Sequence, residues 1–275
     1  MTTGIESPPQ ATAAQAPIAH LWSTVRSLSG PALDWHLNDL YHHELRYLAD
    51  FALVAGLAPV GSILEVGSAP CHMTSLLTLA GYATVGVDLR PERVAEIIDR
   101  LHLDVRMCDI ERAPLPFAED AFACALLCET FEHLRIDPAF VLSEINRVLA
   151  PGAALILTTP NVYSLPSLAR FLLGRSVADP SVEFGKLRGI GHMGHVREYS
   201  AREVARFLQT CGFAIHFLGY RHHKNKGGWK RKLLRVAYLL APRQFHREIV
   251  IVARKISRPH RLSPLVPVPV PVLVA

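Results

Sequence analysis

Residues 63–88 constrain the fold of this chain more than any other stretch. Ile63-Leu64-Glu65-Val66 has the pattern of a short buried strand, Gly67-Ser68-Ala69-Pro70-Cys71 that of a tight turn, and a helical stretch then leads to Val85-Gly86-Val87-Asp88. A strand entering a turn, a helix and a second strand ending in an acid make the first half of a doubly wound parallel sheet. In such a sheet that acid emerges beside the first turn, where it can accept both hydroxyl hydrogens of a ribose. The turn lacks the G-x-G-x-x-G that lets a pyrophosphate approach a helix N-terminus. Glu65 instead places a carboxylate at the first strand's tip, where it would repel phosphate. The charge suits a cationic, phosphate-free nucleoside and argues against a nicotinamide-dependent dehydrogenase.

Further segments follow in a fixed order. Cys108-Asp109-Ile110 reads as a turn after a third strand, and Pro114-Leu115-Pro116-Phe117 with Asp120 and Phe122 leads into a fourth, Ala123 to Leu127. Cys128-Glu129-Thr130-Phe131-Glu132-His133-Leu134 is the loop at that strand's tip. Ile145 to Gly152, an apolar run to Leu157 and Thr158-Thr159-Pro160-Asn161 read as a helix, a turn at Pro151-Gly152 and a fifth strand. On these motifs residues 61–161 resemble a class I S-adenosylmethionine-dependent methyltransferase, of the small-molecule type related to quinone and sugar methyltransferases.

The resemblance implies an α/β fold with a doubly wound, seven-stranded, mostly parallel Rossmann-like sheet whose last strand is antiparallel. It implies S-adenosyl-L-methionine as cofactor, held by Glu65, Gly67, Ser68 and Ala69 of the first motif, with Asp88 on the ribose and Leu89 beside it. Asp109 and Ile110 fall where the family meets the adenine amino group and a ring nitrogen, and Cys128 and Glu129 complete the set. Ala69 and Cys71 stand where the family has glycines, and either is strained if its φ is positive.

A sulfonium already activates the methyl group, so the protein mainly aligns an acceptor and excludes water. The acceptor implied is a small molecule or a lipid- or sugar-linked intermediate, methylated on oxygen first of all. A hydroxyl acceptor must lose its proton, which a neutral histidine can take. His133, on the loop after the fourth strand, is the first candidate base, and His192 and His195 are the next. A bland role for His133, orienting the loop while Glu129 and Glu132 bind the cofactor or form ion pairs, stands beside that reading. The reading from another class is a catalytically silent cofactor-binding or scaffold protein, suggested by Ala69 and Cys71.

The chain has 275 residues, half of them hydrophobic, enough for one main domain over residues 21–257. Residues 1–20 have neither a basic start nor a continuous apolar stretch; they are expected to be a disordered tail and not a signal peptide. Apolar residues at three- and four-residue intervals predict a cap helix over 33–57, whose Tyr41, His42, His43 and Arg46 either line the pocket or form a solvated face. Five cysteines without zinc spacing predict buried reduced thiols, a cytoplasmic protein and no metal site.

Residues 162–200 read as a substrate lid, with a short helix over Leu165 to Leu173 and a glycine-rich stretch over 185–194. Gly194 to Ser200 resembles the family's His-x-Arg-x-Tyr-Ser run; Ser200 and Glu203 fit a capping box for a helix over Ala201 to Thr210. Phe213 then begins a sixth strand, and a seventh is expected over Gln244 to Arg254.

The basic stretch at 221–241 contributes to the net charge of +5. It reads as a solvated insertion or, with Trp229 and its leucines, as a peripheral contact with the inner membrane surface; nucleic acid ranks third, since no RNA-binding module is present. No stretch is long and apolar enough to span a bilayer. Alternate prolines make residues 258–275 an extended tail. The oligomeric state is not legible.

Overall fold

The computed structural model describes residues 13–177, 179–190, 194–222, 237, 238 and 240–259. The chain divides after Cys108 into two compact units. The first carries helices α1 (Gln15–Ser27), α2 (Leu33–Leu57), α3 (His72–Leu79) and α4 (Ala95–Leu101) and strands β1 (Ile63–Val66), β2 (Thr84–Asp88) and β3 (Asp104–Met107). The second carries β4 (Phe122–Cys128), α5 (Pro138–Val148), β5 (Leu149–Pro160), α6 (Leu165–Leu172), α7 (Pro180–Ile190), α8 (Ala201–Thr210), β6 (Phe213–Arg221) and β7 (Glu248–Lys255).

The sheet has seven strands in the order β3-β2-β1-β4-β5-β7-β6. Within the first unit β1, β2 and β3 pair in parallel; within the second, β4 and β5 are parallel and β7 is antiparallel to both β5 and β6. The seven-stranded, mostly parallel sheet that the family resemblance implies is therefore present, with its antiparallel strand. All four residues of β1 are buried, and β4 is buried except at Ala123 and Cys128. Such strands, covered on both faces, are apolar throughout and do not alternate. At the edge, β3 is short and carries the exposed Asp104–Arg106 ion pair, which blunts it against pairing with another chain.

Helix starts follow local chemistry. The Asp137 carboxylate accepts from the amides of Ala139 and Phe140, with Pro138 at the first helical position of α5. Ser200 and Glu203 form the full capping box expected at the start of α8, whose Ala201, Val204, Ala205 and Leu208 form its buried stripe.

Four local expectations change. Helix α1 begins at Gln15, within the stretch expected to be a tail, because Pro17, Leu21, Thr24 and Val25 give it a buried face. The glycine-rich stretch is helical as far as Ile190: Asp179 caps Ser181, Pro180 opens the helix, and Gly185 is tolerated inside it. Strand β5 starts at Leu149, ahead of the expected turn, because the left-handed Gly152 (φ 77°) and a register shift against β4 absorb that turn within the strand. The seventh strand starts at Glu248, since residues Arg243–Phe245 form a 3-10 turn. Of the basic stretch at 221–241, residues 223–236 and 239 lie outside the described residues, as do the first twelve residues and residues 260–275. Arg221 closes β6 by pairing with Glu248 of β7.

The junction between α8 and β6 is tightly tied. Asn146 Nδ2 donates to the carbonyls of Cys211 and Ser257, and Gly212 lies at φ 84° with its missing Cβ pointing at the Ser257 carbonyl. Gly212→Ala is expected to cost about 2–3 kcal/mol, the left-handed penalty plus a backbone collision. Urea unfolding measures it, and a loss below about 0.5 kcal/mol would show that the Ser257 strand end yields freely.

Candidate functional site

At the carboxyl end of β1, Glu65 is buried and accepts a short hydrogen bond from Thr74 Oγ1 on α3. Glu65 pairs in register with Gly86 of β2, and a Cβ on Gly86 would come within 2.9 Å of Ser68 Oγ and 3.2 Å of Thr74 Oγ1. The glycine is thus the space that the Thr74–Glu65 pair occupies. Burial pushes the Glu65 carboxyl up to about 8, Asp50 and Asp88 add to the rise, and the Thr74 bonds only partly oppose it. The strand tip holds a protonated acid at neutral pH, not the fixed anion inferred from sequence.

Asp88, at the end of β2, has its carboxylate aimed by the backbone. Oδ2 accepts from Ala69 N at 3.1 Å, Oδ1 from Arg90 N at 2.9 Å, and Arg93 lies 3.5 Å from Oδ1. A carboxylate has about four acceptor positions, so capacity remains for hydroxyl donors. Leu89 beside it is exposed. Gly67 is left-handed (φ 77°), as the motif requires, and so is Cys71 (φ 67°), which costs about 1–2 kcal/mol in a residue with a Cβ. Ala69 has no positive φ, so the strain foreseen at the two replaced glycines falls on Cys71 alone.

The turn is braced from outside by a network that sequence reading missed. His72, the first residue of α3, donates its Nδ1–H to Asp39 Oδ2 at 3.0 Å, and its Nε2 lies 3.0 Å from His36 Nδ1. Tyr47 donates to the same Asp39 oxygen at 2.6 Å. His36 and His72 are fully buried. Burial would raise the Asp39 carboxyl, but the His72 bond and charge, with Arg46 and Tyr47, hold it well below the usual carboxylate range. Burial and the neighbouring His72 lower His36 to about 4. An ionised Asp39 therefore faces a hydrogen-bonded pair of imidazoles, tilted by 46° to one another, that joins α2 to the turn. Spacing on α2 could have flagged His36, Asp39, His43 and Tyr47 as one face; nothing in the sequence points that face at His72.

In the second unit Asp109 caps its own turn, with Oδ1 accepting from Glu111 N at 3.2 Å, and Ile110 lies half-buried within it. Glu111 holds that turn to the amides of Arg135 and Ile136. After Cys128 the chain turns through Glu129, which is left-handed (φ 51°) and accepts from Thr158 Oγ1 at 3.4 Å. The 3-10 turn Phe131–His133 follows, with Glu132 Oε2 accepting from Thr159 Oγ1 at 2.9 Å. Two adjacent threonines of β5 thus grip the two glutamates of this loop. Val196 and Arg197 donate their amides to the Glu132 carbonyl, which brings His195 beside His133, ring centroids 5.1 Å apart. Burial opposes ionisation of His195, but Glu198, Glu132 and Glu183 outweigh it and raise its pKa. His192 lies outside the described residues. None of the five cysteines is in a disulfide; four are buried and Cys128 is half-buried.

Parallel strands that end in acids, one of them beside a glycine turn, define a nucleoside-cofactor-binding α/β protein. Residues 40–217 match the family described as a methyltransferase domain, and the chain belongs to that family. A probable S-adenosylmethionine-dependent methyltransferase of Mycolicibacterium smegmatis is 29% identical over 154 residues, 56% of this chain and 52% of that protein. A malonyl-[acyl-carrier protein] O-methyltransferase of Alcanivorax borkumensis is 34% identical over 116 residues, 40% of this chain and 38% of that one. The chain spans about half or less of the length of these curated relatives.

Among solved structures, a SAM-dependent methyltransferase from Archaeoglobus fulgidus aligns with TM-score 0.57 at 16% identity, covering 80% of this chain and 99% of that one. One from Thermotoga maritima aligns with TM-score 0.55 at 20% identity, covering 86% and 99%. These likenesses establish the fold. Family and fold together identify S-adenosyl-L-methionine as the cofactor. Among the described residues no helix is long and apolar enough to cross a membrane.

Glu65 makes stability depend on pH. Its folded pKa of about 8 lies above the ordinary 4.5, so the folded state holds the proton more tightly. This stabilisation is complete below pH 4.5 and is lost as pH rises towards 8, at up to about 1.4 kcal/mol per pH unit. His36 contributes with the opposite sign between pH 4 and 6.5. The difference between wild type and Glu65→Gln in denaturant unfolding isolates Glu65: wild type should lose ground to the variant steadily from pH 5 to 8. A constant difference would mean that Glu65 is ionised in the fold.

Proposed function

We propose that this protein is an S-adenosylmethionine-dependent methyltransferase that methylates an oxygen of a small molecule or of a lipid- or sugar-linked acceptor. The observation that carries the reading is the Asp88 carboxylate, fixed by two backbone amides at the end of β2 with acceptor capacity to spare. In this reading Asp88 accepts from the ribose hydroxyls with Leu89 beside it, the Asp109 side chain meets the adenine amino group and the Ile110 amide meets a ring nitrogen. Glu65, Gly67, Ser68 and Ala69 face the methionine end, with Cys128 and Glu129 completing the site. The neutral Glu65 gives up its proton when an ammonium group arrives, exchanging a protonated buried acid for an ion pair.

The bound cofactor supplies an activated methyl group; the chain aligns the acceptor and handles its proton. His133 is the proposed base, about one-third exposed beside buried Glu132, which lies 3.8 Å from its Nε2 and would stabilise the imidazolium formed. His195 and His192 are the alternatives. The oxygen acceptor is supported by the O-methyltransferase named among the relatives.

Calorimetric titration tests the cofactor half. Asp88→Ala should weaken S-adenosylmethionine binding by about 1.5–3 kcal/mol, and unchanged affinity would remove the ribose assignment. The proton half is tested by His133→Gln, expected to lower turnover roughly 10²–10⁴-fold with cofactor affinity retained. Full rate in that variant, with collapse in His195→Gln, would move the base to His195.

A further inference from the structure

We infer that Glu132, His133 and His195 form a binding site for a divalent first-row transition-metal ion. Glu132 Oε1 lies 3.8 Å from His133 Nε2 and 3.9 Å from His195 Nε2, and one donor atom from each of the three residues lies within 4.8 Å of the others. Those separations are too long for hydrogen bonds. They are close to the roughly 3.0–3.5 Å between donors that share an ion at about 2.0–2.2 Å, so a small contraction would complete a first coordination shell. A carboxylate pairing with imidazolium alone would draw one ring to about 2.8 Å; here both rings stand off by nearly the same distance.

The donors are held for this task by groups around them. Thr159 occupies Glu132 Oε2 at 2.9 Å, which turns Oε1 to the two rings. Glu198 Oε1 lies 3.4 Å from His195 Nδ1, the carboxylate–imidazole arrangement that orients metal-bound histidine and leaves Nε2 for the ion. The Glu132 carbonyl accepts from Val196 N at 2.9 Å and Arg197 N at 3.3 Å, so the main chain itself fixes His195 against the loop. Glu132 is 1% exposed, while the imidazoles are about one-third exposed. Among the described residues the protein donors therefore lie on one side, and exogenous oxygen ligands would complete the shell from the exposed side. Two imidazoles and one carboxylate favour manganese, iron, cobalt or zinc over magnesium or calcium. The cysteine spacing, which predicts no metal site, is silent about this set because none of its donors is a thiolate.

The catalytic consequence rests on the oxygen-acceptor reading above. An acceptor hydroxyl bound at the open side has its pKa lowered and releases its proton to solvent. The oxygen lone pair then forms the new O–CH₃ bond as the S–CH₃ bond breaks and its electron pair returns to sulfur. With the ion bound, both Nε2 atoms are engaged, so His133 no longer takes the proton: the ion acts as a Lewis acid on the hydroxyl and water accepts the proton.

The test is a titration of the chelator-stripped full chain with Co²⁺, followed by visible absorption and by calorimetry, without acceptor or cofactor. One ion per chain with a d–d spectrum is expected, displaced by Zn²⁺. Glu198→Gln should weaken binding roughly 10–100-fold, and His195→Ala by more. His195→Ala changes a partly exposed side chain, so a folded variant is obtained even if Glu132 substitutions unfold. Absence of saturable Co²⁺ binding, or equal affinity in wild type and His195→Ala, would overturn the site whatever the protein's activity. Turnover unchanged by chelation would overturn the catalytic role alone.

Discussion

Ile63, Leu64, Glu65 and Val66 are buried on both faces of the sheet, and β4 is nearly so, so these strands can offer polar chemistry only where they end. That constraint organises the molecule. In the first unit it puts an acid at the end of β1 and another at the end of β2. In the second it hands the chain from β4 to a polar loop whose glutamates need partners, and the neighbouring parallel strand β5 supplies them through Thr158 and Thr159. Buried polar atoms at such ends are costly unless bonded, which is why the strand ends are tied to amides, hydroxyls and imidazoles.

The acids of the first unit respond differently to burial because their surroundings differ. Glu65 is buried, and the hydroxyl and amide of Thr74 do not outweigh that burial and the two neighbouring acids, so it keeps its proton. Asp88 is met by two backbone amides and an arginine. Asp39 is met by a tyrosine hydroxyl and an imidazole and stays ionised. For Glu65 and Asp39, burial, donors and neighbouring charge together decide the protonation. The same network brings rigidity: α2 is pinned to the first residue of α3, and with it the turn that carries Gly67 and Ala69.

The run from His195 to Ser200 shows how much a short segment can do. His195 reaches the Glu132 carboxylate, Val196 and Arg197 bond the Glu132 carbonyl, Tyr199 packs on Phe131 at 4.8 Å between ring centroids, and Ser200 caps α8. A residue pattern that reads as a helix start is also the clamp that builds a cluster of two histidines and a carboxylate.

The local code of this chain was legible where neighbours in sequence are also neighbours in space. The acid-tipped strands, Leu33–Leu57 and the capping box at Ser200 follow from periodicity, turn chemistry and motif order, and the seven-stranded, mostly parallel sheet from the family resemblance. Helix α1 and the helical course of 180–190 were not legible, because Pro17, Gly185 and Gly189 count locally against a helix and a buried face or a cap decided the matter. Within the site, sequence alone determined which acids stand at the ends of β1 and β2. Only the tertiary structure decided that Glu65 is protonated, that His36, Asp39 and His72 form one chain of contacts, and that Glu132, His133 and His195 meet. Protonation depends on the water excluded from a group, and convergence on contacts between residues far apart in sequence; neither is written in any single stretch of residues.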